Sequence, residues 1–161
     1  MSKNLRFILL FLICLFFVTS TNVLAELIEP KIVLCEIFTK TDSVLVNGED
    51  FEPIEFPPFI FKGRTMVSPR LMSVFSLNID YDSQTKSITY STKSKIVKIT
   101  YNSPVAWVNG KEVPIDVSYL IKLGRSFIPI RFVIENFGAT VTWEATLQKV
   151  TIVYEIPEGG E

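Results

Sequence analysis

The sequence contains no histidine. Serine–histidine triads, histidine zinc sites and histidine-ligated copper are therefore outside its chemistry. Cysteine is almost as scarce. Of the two present, Cys14 lies inside the N-terminal apolar run and only Cys35 lies beyond it, so removal of that run leaves no partner for an intramolecular disulfide. Within "KIVLCEIF" a lone cysteine serves as a small apolar residue, with an intermolecular bridge or a reactive thiol as the alternatives. Positive charge is not in excess either. Sixteen Lys and Arg face seventeen Asp and Glu, which gives no basic face of the kind that displaces counterions from nucleic acid. The stretch "KSKIVK", Lys93 to Lys98, reads as a strand with its lysines toward water, where they also oppose edge-to-edge association.

A long membrane-spanning run is missing as well. Lys3 and Arg6 precede "FILLFLICLFFV", Phe7 to Val18, and a polar stretch ending "NVLA" follows. A spanning helix needs about 20 apolar residues and here would have to accept Thr19, Ser20, Thr21 and Asn22. The pattern is that of a secretory signal peptide, residues 1–25, cleaved after Ala25. The mature chain is expected to be secreted or held at the cell envelope, with no stable membrane span. It keeps fourteen cations against seventeen acids, a net charge of about −3, and is long enough for one domain with its own core.

What the sequence does have is repetition. "VLVNG" at Val44 recurs as "AWVNG" at Ala106, "GRTMVSPR" at Gly63 as "GRSFIPIR" at Gly124, and "NIDYDSQTKSITY" at Asn78 as "TVTWEATLQKVTI" at Thr140. The spacing is 62 residues for the outer pairs and 61 for the middle one. The expected organisation is a strand or linker over 26–43, a domain over 44–154 built from duplicated units 44–92 and 105–154, and a disordered tail over 155–161.

Each unit reads as hairpin, strand, helix, hairpin. Asn47-Gly48 and Asn109-Gly110 are strong hairpin signals, because both turn positions require positive φ. Gly63 and Gly124 are expected to bend the backbone ahead of a short strand, and Pro69 and Pro129 to mark a helix start. In the second unit Ile130, Val133, Ile134 and Phe137 make one helical stripe, with Gly138 as its stop. The first unit offers Leu71, Val74 and Phe75, with Leu77 or Asn78 in the place of that glycine. Period-two alternation follows: Val141, Trp143, Val150, Ile152 and Tyr154 in one unit, and Ile79, Tyr81, Ile88 and Tyr90 in the other. Strands in runs argue for an α+β fold, an antiparallel β-sheet curled around one or two short helices.

These residues carry a resemblance. "VNGKEVPIDVSYLIKLGRSFIPIRFVIENFGATVTWEATLQKVTI", Val108 to Ile152, resembles the copper amine oxidase N-terminal domain-like family, the stalk module. Its pattern combines Asn-Gly, Gly-Arg, a following Arg, Gly-Ala and V-x-W at fixed intervals. The resemblance implies an exported, non-catalytic module with no cofactor, one that stands beside the catalytic domain in amine oxidases. The catalytic part of those enzymes needs an Asn-Tyr pair and histidine ligands, and this chain has neither.

Candidate functional residues follow from the same motifs. Arg64 and Arg125 are expected to be structural, their stems covering apolar surface. Arg70 and Arg131 fall in the first helical turn, against the helix dipole, so a bidentate pairing that fixes helix to sheet is expected of them. Alternation places Trp107 and Trp143 in the core, with a sugar-stacking platform as the alternative. Phe56, Phe59 and Phe61 of "EFPPFIF", together with Trp107, are the candidate contact surface. Asp80 and Asp82 share a strand face, as the carboxylates of a hydrolase or a calcium site would; two acids beside a turn are more often simply solvated. The expected partners are an envelope protein or a cell-wall polysaccharide.

Overall fold

The structure, a computed structural model, describes residues 30–51 and 56–157. The run read as a signal peptide and residues 158–161 of the tail lie outside the described residues.

The chain begins with β1 (Lys31–Phe38), β2 (Ser43–Val46), β3 (Glu49–Asp50), β4 (Phe59–Phe61) and β5 (Arg64–Val67). A 3₁₀ helix (Pro69–Phe75) leads to β6 (Asn78–Asp82) and β7 (Ser87–Ser91). Next come β8 (Ile96–Thr100), β9 (Val105–Val108), β10 (Lys111–Pro114), β11 (Leu120–Lys122) and β12 (Arg125–Pro129). Helix α1 (Ile130–Asn136), β13 (Thr140–Glu144) and β14 (Lys149–Ile156) complete it. The architecture is mostly antiparallel sheet, with two short helices among the described residues.

Four two-residue turns set the strand registers. Asn47-Gly48 (φ 53° and 84°) and Asn109-Gly110 (49° and 76°) join β2 to β3 and β9 to β10. Lys62-Gly63 (48° and 74°) and Leu123-Gly124 (51° and 74°) do the same for β4–β5 and β11–β12. Paired positive φ is the type I′ turn, whose twist matches that of the strands it joins. Gly63 and Gly124 thus bend the backbone immediately ahead of β5 and β12, as the second residues of tight hairpin turns. Each asparagine does more than turn. Its Oδ1 accepts from a neighbouring strand, from Leu34 N at 2.9 Å for Asn47 and from Ile96 N at 2.8 Å for Asn109.

The strands divide among three sheets rather than curling into one. Their orders are β13-β14-β1-β2-β3, β10-β9-β8-β7-β6 and β11-β12-β5-β4. In the four-stranded sheet the two Gly-Arg hairpins meet where Ile128 and Pro129 pair with Val67 and Met66. The interior is filled from all sides: Val33, Cys35 and Ile37 of β1, Val97 and Ile99 of β8, Val150, Ile152 and Tyr154 of β14, and the helices are buried in one cluster. At about 25 cal/mol per Å² of apolar surface removed from water, this cluster is the main source of stability.

Helix α1 buries Ile130, Val133 and Ile134 completely and Phe137 nearly so, as the stripe requires. The first helix differs. With three residues per turn, side chains three apart stack on one row, so Met72 and Phe75 are both fully buried while Val74 is only partly covered. Ser68 caps its start by accepting from Arg70 N, and Pro69 occupies the first turn. The left-handed position that ends it is Ser76 (φ 54°), not Leu77 or Asn78, and it stands where Gly138 (φ 101°) follows α1. At the C-terminus β14 continues through Ile156, into the first residues of the expected tail.

Candidate functional site

The Gly-Arg phrases place Arg64 at the first residue of β5 and Arg125 at the first residue of β12. Arg64 reaches across to Asp116, Nη2 to Oδ2 at 2.5 Å, and its Nη1 lies 3.4 Å from the Gly63 carbonyl. The hydrogen bond from Arg64 is the main reason the Asp116 carboxyl is held below its ordinary range. Both side chains are half exposed, so the pair orients more than it stabilises, contributing about 0–1 kcal/mol. The Arg125 guanidinium stacks 5.1 Å from the centroid of the Phe56 ring. Arg64 thus bonds a carboxylate and a carbonyl at the surface, while Arg125 lies on an aromatic ring.

The clamp expected of Arg70 and Arg131 does not form. Arg131 Nε lies 4.0 Å from Glu135 Oε1, one turn along the same helix, and among the described residues no carboxylate outside α1 pairs with it. Arg70 is exposed, and among the described residues no carboxylate pairs with it. The physical reason is that the apolar stripes already dock both helices, while a solvated guanidinium at a helix start avoids the desolvation that a buried clamp demands.

Neither tryptophan is in the core. Trp143 and Trp107 are each 42 % exposed. Trp143 does point the same way as Val141, and it pairs with Val150. But β13 is the outermost strand of its sheet, so the indole stands at the rim, beyond the reach of the interior. Trp107 is on the outer face of β9, paired with Lys98 on one side and Glu112 on the other. Ile79 and Tyr81 are exposed on edge strand β6 for the same reason as Trp143.

Around Trp143 lies a cleft of about 420 Å³. Trp143, Val141 and Val150 form one side, Ile60 and Thr65 of the β4–β5 hairpin another, and Arg64 and Arg131 supply its charged groups. The two arginines also line an adjoining cleft of about 520 Å³ that contains Asp116, Phe132 and Glu135. Two arginines, each beside its own carboxylate, therefore stand next to an open indole face. Asp116, Glu135 and Ile60 were not singled out by the sequence, since nothing local marks them as neighbours of Arg64, Arg131 or Trp143.

The aromatic segment is largely spent on packing. Phe56 and Phe59 both make edge-on contacts with Phe127, at 6.2 and 4.9 Å between centroids, and help cover Met66, Val117 and Phe127 in a second small cluster. Lys122 Nζ caps Phe59 at 4.5 Å. Phe61 remains exposed, as does Leu123 at the tip of the opposite hairpin.

In the acidic pair, Asp82 is committed to its own turn. Asp82 Oδ1 accepts from Gln84 N and Thr85 N at 2.8 and 3.2 Å, and its Oδ2 from Thr85 Oγ1 at 2.7 Å. Those bonds lower its pKa and tie the carboxylate to the β6–β7 turn, while Asp80 stays exposed. Cys35 is fully buried in β1, and burial pushes its thiol up to about 12, the environment of an inert core residue. Among the described residues no three His, Cys, Asp or Glu side chains are grouped to hold a metal ion, and no helix is long and apolar enough to cross a membrane.

Residues 45–152 match the family model described as copper amine oxidase N-terminal domain. No curated protein and no solved structure matches the chain. The matched region is the N-terminal module of those enzymes, which lacks their catalytic domain. It spans both Asn-Gly turns, both Gly-Arg hairpins, both helices and the Trp143 strand, and on that match the chain belongs to the copper amine oxidase N-terminal domain family.

Proposed function

We propose that this protein is an exported, non-catalytic module of the cell envelope that works by binding or scaffolding. The observation that carries this reading is the treatment of its side chains. Large aromatic groups (Trp107, Trp143, Phe61 and Tyr81) are left exposed on sheets held in register by tight turns, while Asp82 and Asp116 are engaged in a turn and an ion pair. A rigid surface with exposed aromatics suits contact. The charge pattern of residues 1–25 supports export.

The module is also a duplicated unit. The order hairpin, hairpin, helix, hairpin over β2 to β7 is repeated over β9 to β14, and β1 and β8 each precede one copy. Asn47 bonds β1 as Asn109 bonds β8, which supports extending each unit N-terminally to include that strand. Fusion of residues 1–30 to a reporter active only outside the cytoplasm tests export. Cross-linking the mature chain in intact cells, followed by identification of attached envelope proteins, tests scaffolding. Cytoplasmic retention of the reporter rules out the first, and a chain that cross-links to no envelope component rules out the second.

A further inference from the structure

The cleft beside Trp143 has the composition of a sugar site. The Trp143 indole, although on the same face as Val141 and Val150, has no ring, cation or side-chain hydrogen-bond partner among the described residues. An exposed indole backed by two valines is a flat apolar platform with a polar N–H at its edge. At the rim, Arg64 and Arg131 offer planar forks of up to five donors each, and Arg64 is already oriented by Asp116 at 2.5 Å. The cavity, about 420 Å³, is in the range of small-molecule sites.

Charge decides between ligand classes. Arg64 stands beside Asp116 and Arg131 beside Glu135, so each cation lining the cleft is offset by a carboxylate in the adjoining one, which weakens selection for an anion. What it presents is arginine donors next to an apolar plane, with the carboxylate acceptors Asp116 and Glu135 in the adjoining cleft. A pyranose ring matches both, since its C–H face stacks on an indole while its vicinal hydroxyls both donate and accept. Resting on the binding-module reading above, we propose that the Trp143–Arg64–Arg131 cleft binds a neutral hexopyranose glycan, with Trp143 as the stacking platform and Arg131 as a hydrogen-bonding side chain.

The test uses the full mature chain carrying Trp107→Phe, so that Trp143 is the only tryptophan reporting. It is titrated with a panel of neutral oligosaccharides of glucose, mannose, galactose and N-acetylglucosamine, with oligogalacturonate as the anionic comparison. Saturable change in Trp143 emission with a neutral member, little altered by high salt, is the expected result. Arg131→Gln should weaken it about tenfold, the loss of one charge-assisted hydrogen bond. Trp143→Ala should abolish retardation in glycan affinity gels while still unfolding in one cooperative transition, since the indole is 42 % exposed on an edge strand. Failure of every neutral oligosaccharide to bind overturns the proposal, as does salt-sensitive preference for oligogalacturonate or full binding by Trp143→Ala. Each of these leaves scaffolding standing if envelope cross-links are still found.

Discussion

Asn109→Ala is the sharpest test of how this fold is held in register. Asn109 closes the β9–β10 turn at φ 49° and also reaches sideways, its Oδ1 accepting from Ile96 N at 2.8 Å while its own N–H donates to the Ile96 carbonyl at 2.9 Å. Alanine keeps the main-chain bond and loses the side-chain one, at a net cost of about 1 kcal/mol. Holding alanine in the left-handed region costs roughly another 1 kcal/mol, since its Cβ meets the carbonyl that asparagine tolerates better. The sum, about 2 kcal/mol, lowers the melting temperature by roughly 6 to 10 °C for a domain of this size. Asn109→Gly separates the two contributions. Glycine adopts positive φ freely and should recover about 0.5 to 1 kcal/mol relative to alanine. The assay is thermal and urea unfolding of the mature chain followed by circular dichroism. If alanine melts within about 1 °C of the parent, the side chain does not hold β8 to the β9–β10 hairpin as argued, and if glycine is no better than alanine, the left-handed backbone is no part of the cost. Asn47→Ala probes the matching bond to Leu34 and should behave alike.

Other expectations follow from burial and charge. Ile134→Ala, at a fully buried position of α1, should cost about 3 kcal/mol in urea unfolding; a loss under about 1 kcal/mol would mean the helix is not docked on the sheets. Cys35, with its thiol pushed up to about 12 by burial, should resist Ellman's reagent in native buffer and react fully in denaturant. Prompt modification of the folded protein would contradict its place in β1. Asp82 and Asp116 are both held below the usual Asp value of 3.8, so the folded state binds fewer protons than the unfolded one as pH falls through that range. Their contribution is therefore present above that value and lost as pH drops toward the depressed folded values. Asp82→Asn should flatten the dependence of the urea midpoint on pH below 3.8, and an unchanged slope would mean that the turn bonds do not favour the ionised form.

The local parts of this fold could be read from the sequence. Asn-Gly between alternating apolar residues marked two hairpins, and Ile130, Val133, Ile134 and Phe137 marked the buried face of α1. Where Lys62 or Leu123 takes the first turn position in place of asparagine, no side chain announces positive φ, and only the glycine hinted at a turn. Alternation told correctly which way Trp143 points. It carries no information on whether a strand is central or outermost, and that decided the exposure of Trp143, Ile79 and Tyr81. For Trp107 the same alternation was equally compatible with the outer face. The cleft was hidden for a further reason: Arg64 and Asp116 meet only because β5 and the loop after β10 are brought together by pairing between strands far apart in the chain.

Among the described residues the first strand, β1, lies beside the last, β14, with β2 on its other flank. The sheet is thus closed by two strands more than a hundred residues apart in sequence. A ribosome or an export channel that still holds β14 keeps β1 without its neighbour, so the interior cannot seal until that strand emerges. Clipping by a protease just before Lys149 would have the same result after folding: Val33, Cys35 and Ile37 would lose the cover of Val150, Ile152 and Tyr154. The bared margin of β1 would then be a template for recruiting other chains.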